Sequence, residues 1–215
     1  MSRIPDLGAR IELVSMDRHA GDTTLGLYRR PGPDGPRFLV HTYSTRPEAA
    51  GRLQFLRAAM VGLGGMEACA DAPHLLRFAC GAGHELACRR LFLEAARLES
   101  GAAPEPRSLR VEDRKLGVRL AAVPLGHGRY RVRPDDAAAG PDAARRAQAV
   151  AAGLAKLAAL DPVAGDGGAV AFPCGVDHHA LVGLLLGRAL NVRAALREHE
   201  EAASRGVLQA PGRPE

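Results

Sequence analysis

The chain has 215 residues, of which 47% are hydrophobic and 25% charged, a balance that supports one large globular domain or two small ones. Its net charge is +5, and all but two of its 29 basic residues are arginine. Because the chain is also rich in Ala, Gly and Pro, this bias indicates a GC-rich coding sequence rather than nucleic-acid binding. No apolar stretch reaches the roughly 20 residues of a membrane span and the N-terminus lacks a signal-peptide core, so we expect a soluble, cytoplasmic protein with no membrane partner.

The first half of the chain begins with three strand-like segments rich in β-forming residues. They are residues 10–17, 23–30 and 37–44. A helix is predicted near 46–64, with Thr45 as its N-cap and Pro47 in its first turn. A strand at 74–80 and a second helix at 82–99 follow. Because a helix lies between two strands, a right-handed β-α-β crossover is expected.

The second half repeats this order of elements. Its strand candidates are residues 108–113, 115–125 and 127–134. A helix at 140–160, a strand at 169–174 and a helix from about 176 to 202 come next. Each half is therefore predicted as a β-β-β-α-β-α unit.

The two halves share a phrase as well as an order. Residues 78–91 read FACGAGHELACRRL and residues 172–185 read FPCGVDHHALVGLL, so F-x-C-G-x-x-H occurs twice at an offset of 94. At that offset 14 of 52 aligned residues are identical between 46–97 and 140–191, and nine of these are not alanine. This favours a tandem duplication.

The duplication predicts the fold class and its division into units. We expect an α+β protein of two tandem-duplicated units related by a pseudo-two-fold axis. The boundaries are residues 1–104 for the first unit, 105–205 for the second and 206–215 for a frayed tail.

Each C-G-x-x-H motif lies where a predicted strand ends and a helix begins. The glycine suits a tight turn, and the histidine is predicted in the first turn of the helix. Cysteine and histidine are the preferred ligands of Zn²⁺, and two such pairs make a Cys2His2 set if the axis brings them together. The candidate metal ligands are Cys80, His84, Cys174 and His178.

Three other interpretations of the motif stay open. A thiol at a helix N-terminus beside an imidazole is also the minimal arrangement of a Cys–His nucleophile, which would make Cys80 and His84 a thiol enzyme's pair. The glycine exposes backbone N–H groups that bind anions at helix starts. The same residues also occur as plain structural framework, since free cysteine is among the most buried residue types.

The two copies differ just after the motif. Glu85 aligns with His179, and Arg89 aligns with Gly183. Either the first half carries the working site, with Glu85 orienting an imidazole and Arg89 holding an anionic group, or the second helix is buried between the halves or at an oligomer interface. The apolar run at 180–190 favours burial. Cys69 and Cys88 align with valines, which indicates small core residues.

A basic strand is the remaining candidate surface. Arg129, Arg131 and Arg133 share one side of the strand at 127–134, because alternate side chains face the same way. They form a candidate anion-binding surface, although the 4% aromatic content disfavours nucleic acid as its partner. The alternative to a Cys/His site is a binding or scaffold module that uses this face, or that forms a homodimer through the helix at 176–202.

Overall fold

A computed structural model describes residues 12–19, 23–42, 44–98, 105–136, 138–197 and 200–201. This part of the chain forms two antiparallel sheets with packed helices, which confirms the α+β class. The elements of the first half are β1 (Glu12–His19), β2 (Thr23–Arg30), β3 (Arg37–Thr42), α1 (Pro47–Gly64), β4 (Met66–Cys69), β5 (Ala72–Phe78) and α2 (Glu85–Ala96). Those of the second half are β6 (Arg110–Asp113), β7 (Val118–Gly126), β8 (Arg129–Pro134), α3 (Pro141–Ala158), β9 (Asp161–Pro162), β10 (Ala169–Ala171) and α4 (His179–Ala189).

The two sheets have the same strand order in their respective halves. The first runs β1-β2-β3-β5-β4 and the second runs β6-β7-β8-β10-β9. The sequence did not predict β4 and β9, which are short and lie at sheet edges. β4 reverses the chain before β5, so β5 pairs with β3 antiparallel. The predicted right-handed crossover between parallel strands was therefore wrong.

Helix boundaries differ from the predictions where turn geometry decides them. α1 begins at Pro47 with Arg46 rather than Thr45 as its N-cap. It ends at Gly64, and the φ of 63° at the C-cap Gly65 lets the Gly65 N–H reach the Val61 carbonyl at 3.0 Å. The last predicted helix is shorter: α4 ends at Ala189 and a separate helical segment covers 192–197. The predicted frayed tail at 206–215 lies outside the described residues.

The core is continuous between the two halves. Phe78 and Leu91 of the first half and Phe172 and Leu185 of the second belong to one buried cluster. Cys88 is fully buried in it, as predicted for a core residue. Cys69 is 2% exposed and belongs to a smaller buried cluster formed by residues of the first sheet.

Helix α4 is buried inside the chain, in agreement with the apolar run at 180–190. Its larger apolar side chains are at most 2% exposed, and the helix packs against α3 and α1. They are Leu181, Val182, Leu184, Leu185 and Leu186. Gly183 allows a close approach, since a Cβ there would lie 2.2 Å from the Arg107 carbonyl oxygen. The apolar face that the sequence offered as a homodimer seam is thus covered by this chain itself.

In each half an arginine, buried at Arg52 and partly buried at Arg146, connects the two helices. Arg52 of α1 donates to the carbonyl oxygens of Ala96 and Leu98, where α2 ends. Arg146 of α3 donates to the carbonyl of Leu190 at 2.9 Å, where α4 ends. These bonds satisfy carbonyls that a helix terminus leaves without an intrahelical partner. No helix within the described residues is both long and apolar enough to cross a bilayer.

Candidate metal centre

Each C-G-x-x-H motif forms a tight turn after the strand that precedes it. Gly81 donates its N–H to the Phe78 carbonyl at 2.9 Å, and Gly175 donates to the Phe172 carbonyl at 3.0 Å. The two glycines have φ values of 76° and 69°, a left-handed conformation that favours glycine because it lacks a Cβ. The repeated glycine is therefore required by the turn itself.

The turn directs a backbone donor at each thiol. The N–H of Ala82 lies 3.4 Å from the Cys80 sulfur, and the N–H of Val176 lies 3.4 Å from the Cys174 sulfur. Hydrogen bonds to a sulfur that becomes a thiolate stabilise the charged form, which is the form that binds metal. Each thiol is therefore approached by a backbone N–H group of its own motif, which favours the thiolate form.

The histidines are N-cap residues rather than members of the first helical turn. His84 and His178 precede α2 and α4, and their carbonyls accept the N–H groups of Cys88 at 2.8 Å and Val182 at 2.9 Å. Their side chains turn back toward the cysteines. The distance from Nε2 to the sulfur is 3.2 Å for His84 with Cys80. It is 3.3 Å for His178 with Cys174.

The two C-G-x-x-H corners, residues 80–84 and 174–178, lie next to each other in the folded protein. One ligand atom from each of the four predicted residues lies within 4.8 Å of the other three. A tetrahedral Zn²⁺, with bonds of about 2.3 Å to sulfur and about 2.0 Å to nitrogen, needs ligand atoms about 3.3–3.8 Å apart. The sulfur–nitrogen distances of 3.2 and 3.3 Å lie at the lower end of this range or just below it. A separation at the 4.8 Å limit would have to contract by about 1 Å. The four residues can therefore hold a metal ion.

Aromatic rings enclose the histidines. The centroids of the His84 and His178 rings are 4.7 Å apart. Phe78 lies 5.2 Å from His84, and Phe172 lies 4.6 Å from His178. Each phenylalanine also contacts the histidine of the other half. The phenylalanine of the repeated phrase thus forms the apolar wall of the site, a role that sequence reasoning did not assign to it.

Burial among these rings changes the acidity of the ligands. It lowers the pKa of His84, and together with the neighbouring His84 it lowers the pKa of His178 to about 4. Burial raises the pKa of the Cys80 thiol. Cys80 and His84 are thus a neutral pair near pH 7, which disfavours the thiolate–imidazolium nucleophile and suits an imidazole that donates its lone pair to a metal.

The shifted pKa of His178 predicts a pH dependence of the metal-free protein. An unfolded histidine takes up a proton near its ordinary value of 6.5, whereas folded His178 does so only near 4. Its contribution to stability is complete above pH 6.5 and is lost as the pH falls toward 4, to a total of up to about 3 kcal/mol. Urea unfolding of metal-free protein at several pH values measures this. A His178→Asn variant should show a shallower slope, and an unchanged slope would assign the dependence to other groups.

Tyr130 is a supporting residue that the sequence did not assign to the site. It is fully buried, and its hydroxyl oxygen accepts the backbone N–H of His178 at 2.7 Å and lies 3.0 Å from Nδ1 of His179. The turn before β8 is fixed nearby, because Gly128 donates its N–H to the Asp177 carboxylate at 2.8 Å. The strand pattern placed Tyr130 inward, but only the fold shows its hydrogen bonds.

Substitution of Tyr130 by phenylalanine is expected to weaken the site without removing a ligand. The change leaves the buried N–H of His178 without its acceptor, which costs about 1–3 kcal/mol of stability. Loss of such a supporting hydrogen bond typically lowers metal affinity about 10-fold or more. Competition for zinc with a chelator of known affinity measures this. Leu75→Ala, in the smaller buried cluster of the first half that does not include Phe78, serves as a control that should lower stability and leave zinc affinity unchanged.

The other predicted residues lie outside this cluster. Both carboxylate oxygens of Glu85 accept from arginines, Arg29 at 2.9 Å and Arg89 at 2.7 Å, rather than from an imidazole. His179 is exposed and contacts the Tyr130 hydroxyl.

The basic strand is β8, and its arginines alternate with buried residues as predicted. Arg129, Arg131 and Arg133 are exposed, and Arg131 forms an ion pair with Asp166 at 2.5 Å. Their use as an anion-binding surface stays a prediction, as do a homodimer and a nucleic-acid partner.

Comparisons of the chain with protein-family models, curated proteins and solved structures find no match. Function is therefore inferred from the residues of the site and their geometry.

Proposed function

We propose that Cys80, His84, Cys174 and His178 bind one zinc ion that joins the two halves of the protein. The observation that carries the proposal is the convergence of four ligand atoms, two from each half, within 4.8 Å. Two thiolates and two imidazoles are a donor set that zinc takes in tetrahedral geometry.

The zinc has a structural role in this proposal. Four protein ligands fill the tetrahedral shell and leave no position for water or substrate, whereas catalytic zinc sites keep one position open. The ligands also come from corners 94 residues apart in the chain. An ion held there links α2 to α4 and fixes the packing between the halves.

We also infer that the halves arose by tandem duplication and that a pseudo-two-fold axis passes near the metal centre. Equivalent contacts recur at the offset of 94: the glycine turn, the N–H directed at the thiol, the thiol–imidazole contact and the arginine that binds the end of the second helix. The identical strand order of the two sheets supports the same inference. The proposed units are residues 1–104 and 105–205.

Metal analysis of the purified protein tests the zinc proposal. We expect about one equivalent of zinc per chain after exposure to zinc and removal of unbound metal. Cobalt substitution should give the visible absorption of a tetrahedral ion with sulfur-to-cobalt charge transfer. Cys80→Ser and His178→Asn are expected to bind less than a tenth as tightly.

Cys88→Ala is the matched control for these variants. It removes a buried thiol that is not a ligand, so it should keep the full equivalent of zinc and the cobalt spectrum. A folded wild-type protein that takes up no stoichiometric metal would refute the proposal. So would a cobalt spectrum without charge-transfer bands.

A further inference from the structure

We propose that Cys80 and Cys174 are a peroxide-responsive thiol pair: hydrogen peroxide oxidises them to a disulfide, and the zinc ion is released in the same event. The proposal rests on the zinc site proposed above and adds its regulation. The reactant class is a small hydroperoxide that reaches the site from solvent.

The geometry that supports this is the approach of two thiols from different halves. Their sulfur atoms lie within 4.8 Å of each other. Both cysteines are only partly buried, whereas Cys69 and Cys88 are fully inside the protein. A disulfide requires the sulfurs to approach to about 2.05 Å. The side of Gly175 that would carry a Cβ is open, because no atom other than those of its chain neighbours lies within 4 Å of that position.

The two corners differ in exposure, and this sets the order of the steps. Gly175, Val176 and Asp177 are exposed, whereas residues 81–83 are partly buried. Peroxide therefore reaches Cys174 first. Val176, whose N–H is directed at the Cys174 sulfur, is 45% exposed.

The reaction conserves atoms and electrons. The Cys174 thiolate attacks one peroxide oxygen, the O–O bond breaks, and a sulfenic acid and hydroxide form. The Cys80 thiolate then attacks the Cys174 sulfur, the S–S bond forms and the S–O bond breaks, releasing a second hydroxide. Two electrons pass from the thiolates to peroxide, and two protons convert both hydroxides to water.

Zinc release follows from the loss of ligands. A disulfide sulfur is a poor zinc ligand, so oxidation leaves only His84 and His178. Two imidazoles without thiolates do not retain a zinc ion that needed four ligands. The disulfide then takes over the link between the halves, so the oxidised protein stays folded. Reduction by a dithiol restores the binding site.

The test treats zinc-loaded protein with hydrogen peroxide and follows zinc release with a chromogenic chelator. We expect one zinc released per disulfide formed, a Cys80–Cys174 cross-link in non-reducing peptide mapping, and rebinding of zinc after reduction. The double variant Cys69→Ala/Cys88→Ala should behave like the wild type, because neither residue contributes a sulfur to the pair.

Several outcomes would overturn the proposal. Zinc that stays bound while the protein is oxidised is one, and release with both cysteines as sulfinic acids and no cross-link is another. A cross-link through Cys69 or Cys88 would also overturn it. If the untreated protein holds no zinc, the zinc proposal itself fails, and the release step fails with it. Peptide mapping of the metal-free protein then reports on the thiol pair alone, so the two failures are distinguishable.

Discussion

Removal of zinc is expected to lower the free energy of unfolding of the protein by about 4 kcal/mol. This value compares metal-free protein with protein in free zinc at about 1,000 times the dissociation constant of the zinc site. In our proposal the ion binds the folded protein, in which four ligand atoms lie within 4.8 Å, and not the unfolded chain, in which the two motifs separate. Urea unfolding in a zinc buffer and after chelation measures the difference. Cys174→Ser should lose the zinc-dependent increment.

The metal-free protein is nevertheless expected to stay folded. The halves share one apolar core, and polar contacts cross between them: Arg188 pairs with Glu94, and Arg90 donates to the Ala195 carbonyl. Cys88→Ala is the control, since a small core cavity should lower stability equally with and without zinc. An unchanged wild-type midpoint after chelation, or a full increment in Cys174→Ser, would contradict the structural role of the ion.

Substitution of Gly35 by alanine is expected to be the most damaging single-methyl change near the site. Gly35 has a φ of 109°, which strains any residue with a Cβ, and that Cβ would lie 2.0 Å from the Gly81 carbonyl oxygen. Because the contact is with backbone, no side chain can rotate away. Gly81 directly follows the proposed zinc ligand Cys80, so displacement of Gly81 should also misplace the thiol. We expect a loss of about 3 kcal/mol or more in stability and at least about 10-fold in zinc affinity.

Alanine variants of two other glycines distinguish the cost of backbone strain from the cost of a steric clash. Gly117 has a φ of 63° and no atom within 4 Å of its Cβ position, so Gly117→Ala should cost only about 1 kcal/mol of backbone strain. Gly51 lies exposed in α1 with nothing near it, so Gly51→Ala should stabilise by about 0.5–1 kcal/mol. Thermal unfolding of the three variants gives the ranking. A Gly35→Ala protein as stable as Gly117→Ala would contradict this prediction, because it would show that the backbone at Gly81 moves aside at little cost.

Local patterns in the sequence were enough to predict most elements and the identity of the candidate ligands. Alternation placed Arg129, Arg131 and Arg133 on the outer face of β8, and helical spacing with Pro47 located α1. The edge strands β4 and β9 escaped prediction because a strand of two to four residues is too short to show a period. Their omission led to the mistaken crossover, since β4 reverses the chain direction before β5.

The sequence by itself determined that one phrase occurs twice and that its cysteines and histidines have the chemistry of zinc ligands. Only the tertiary structure decided that the two phrases meet, because residue periodicity reports neighbours along an element and not the distance between corners 94 residues apart. It also decided that the histidines precede their helices and that Tyr130 holds the backbone of His178. Those features depend on backbone angles and on hydrogen bonds between distant segments, which packing of the two halves sets.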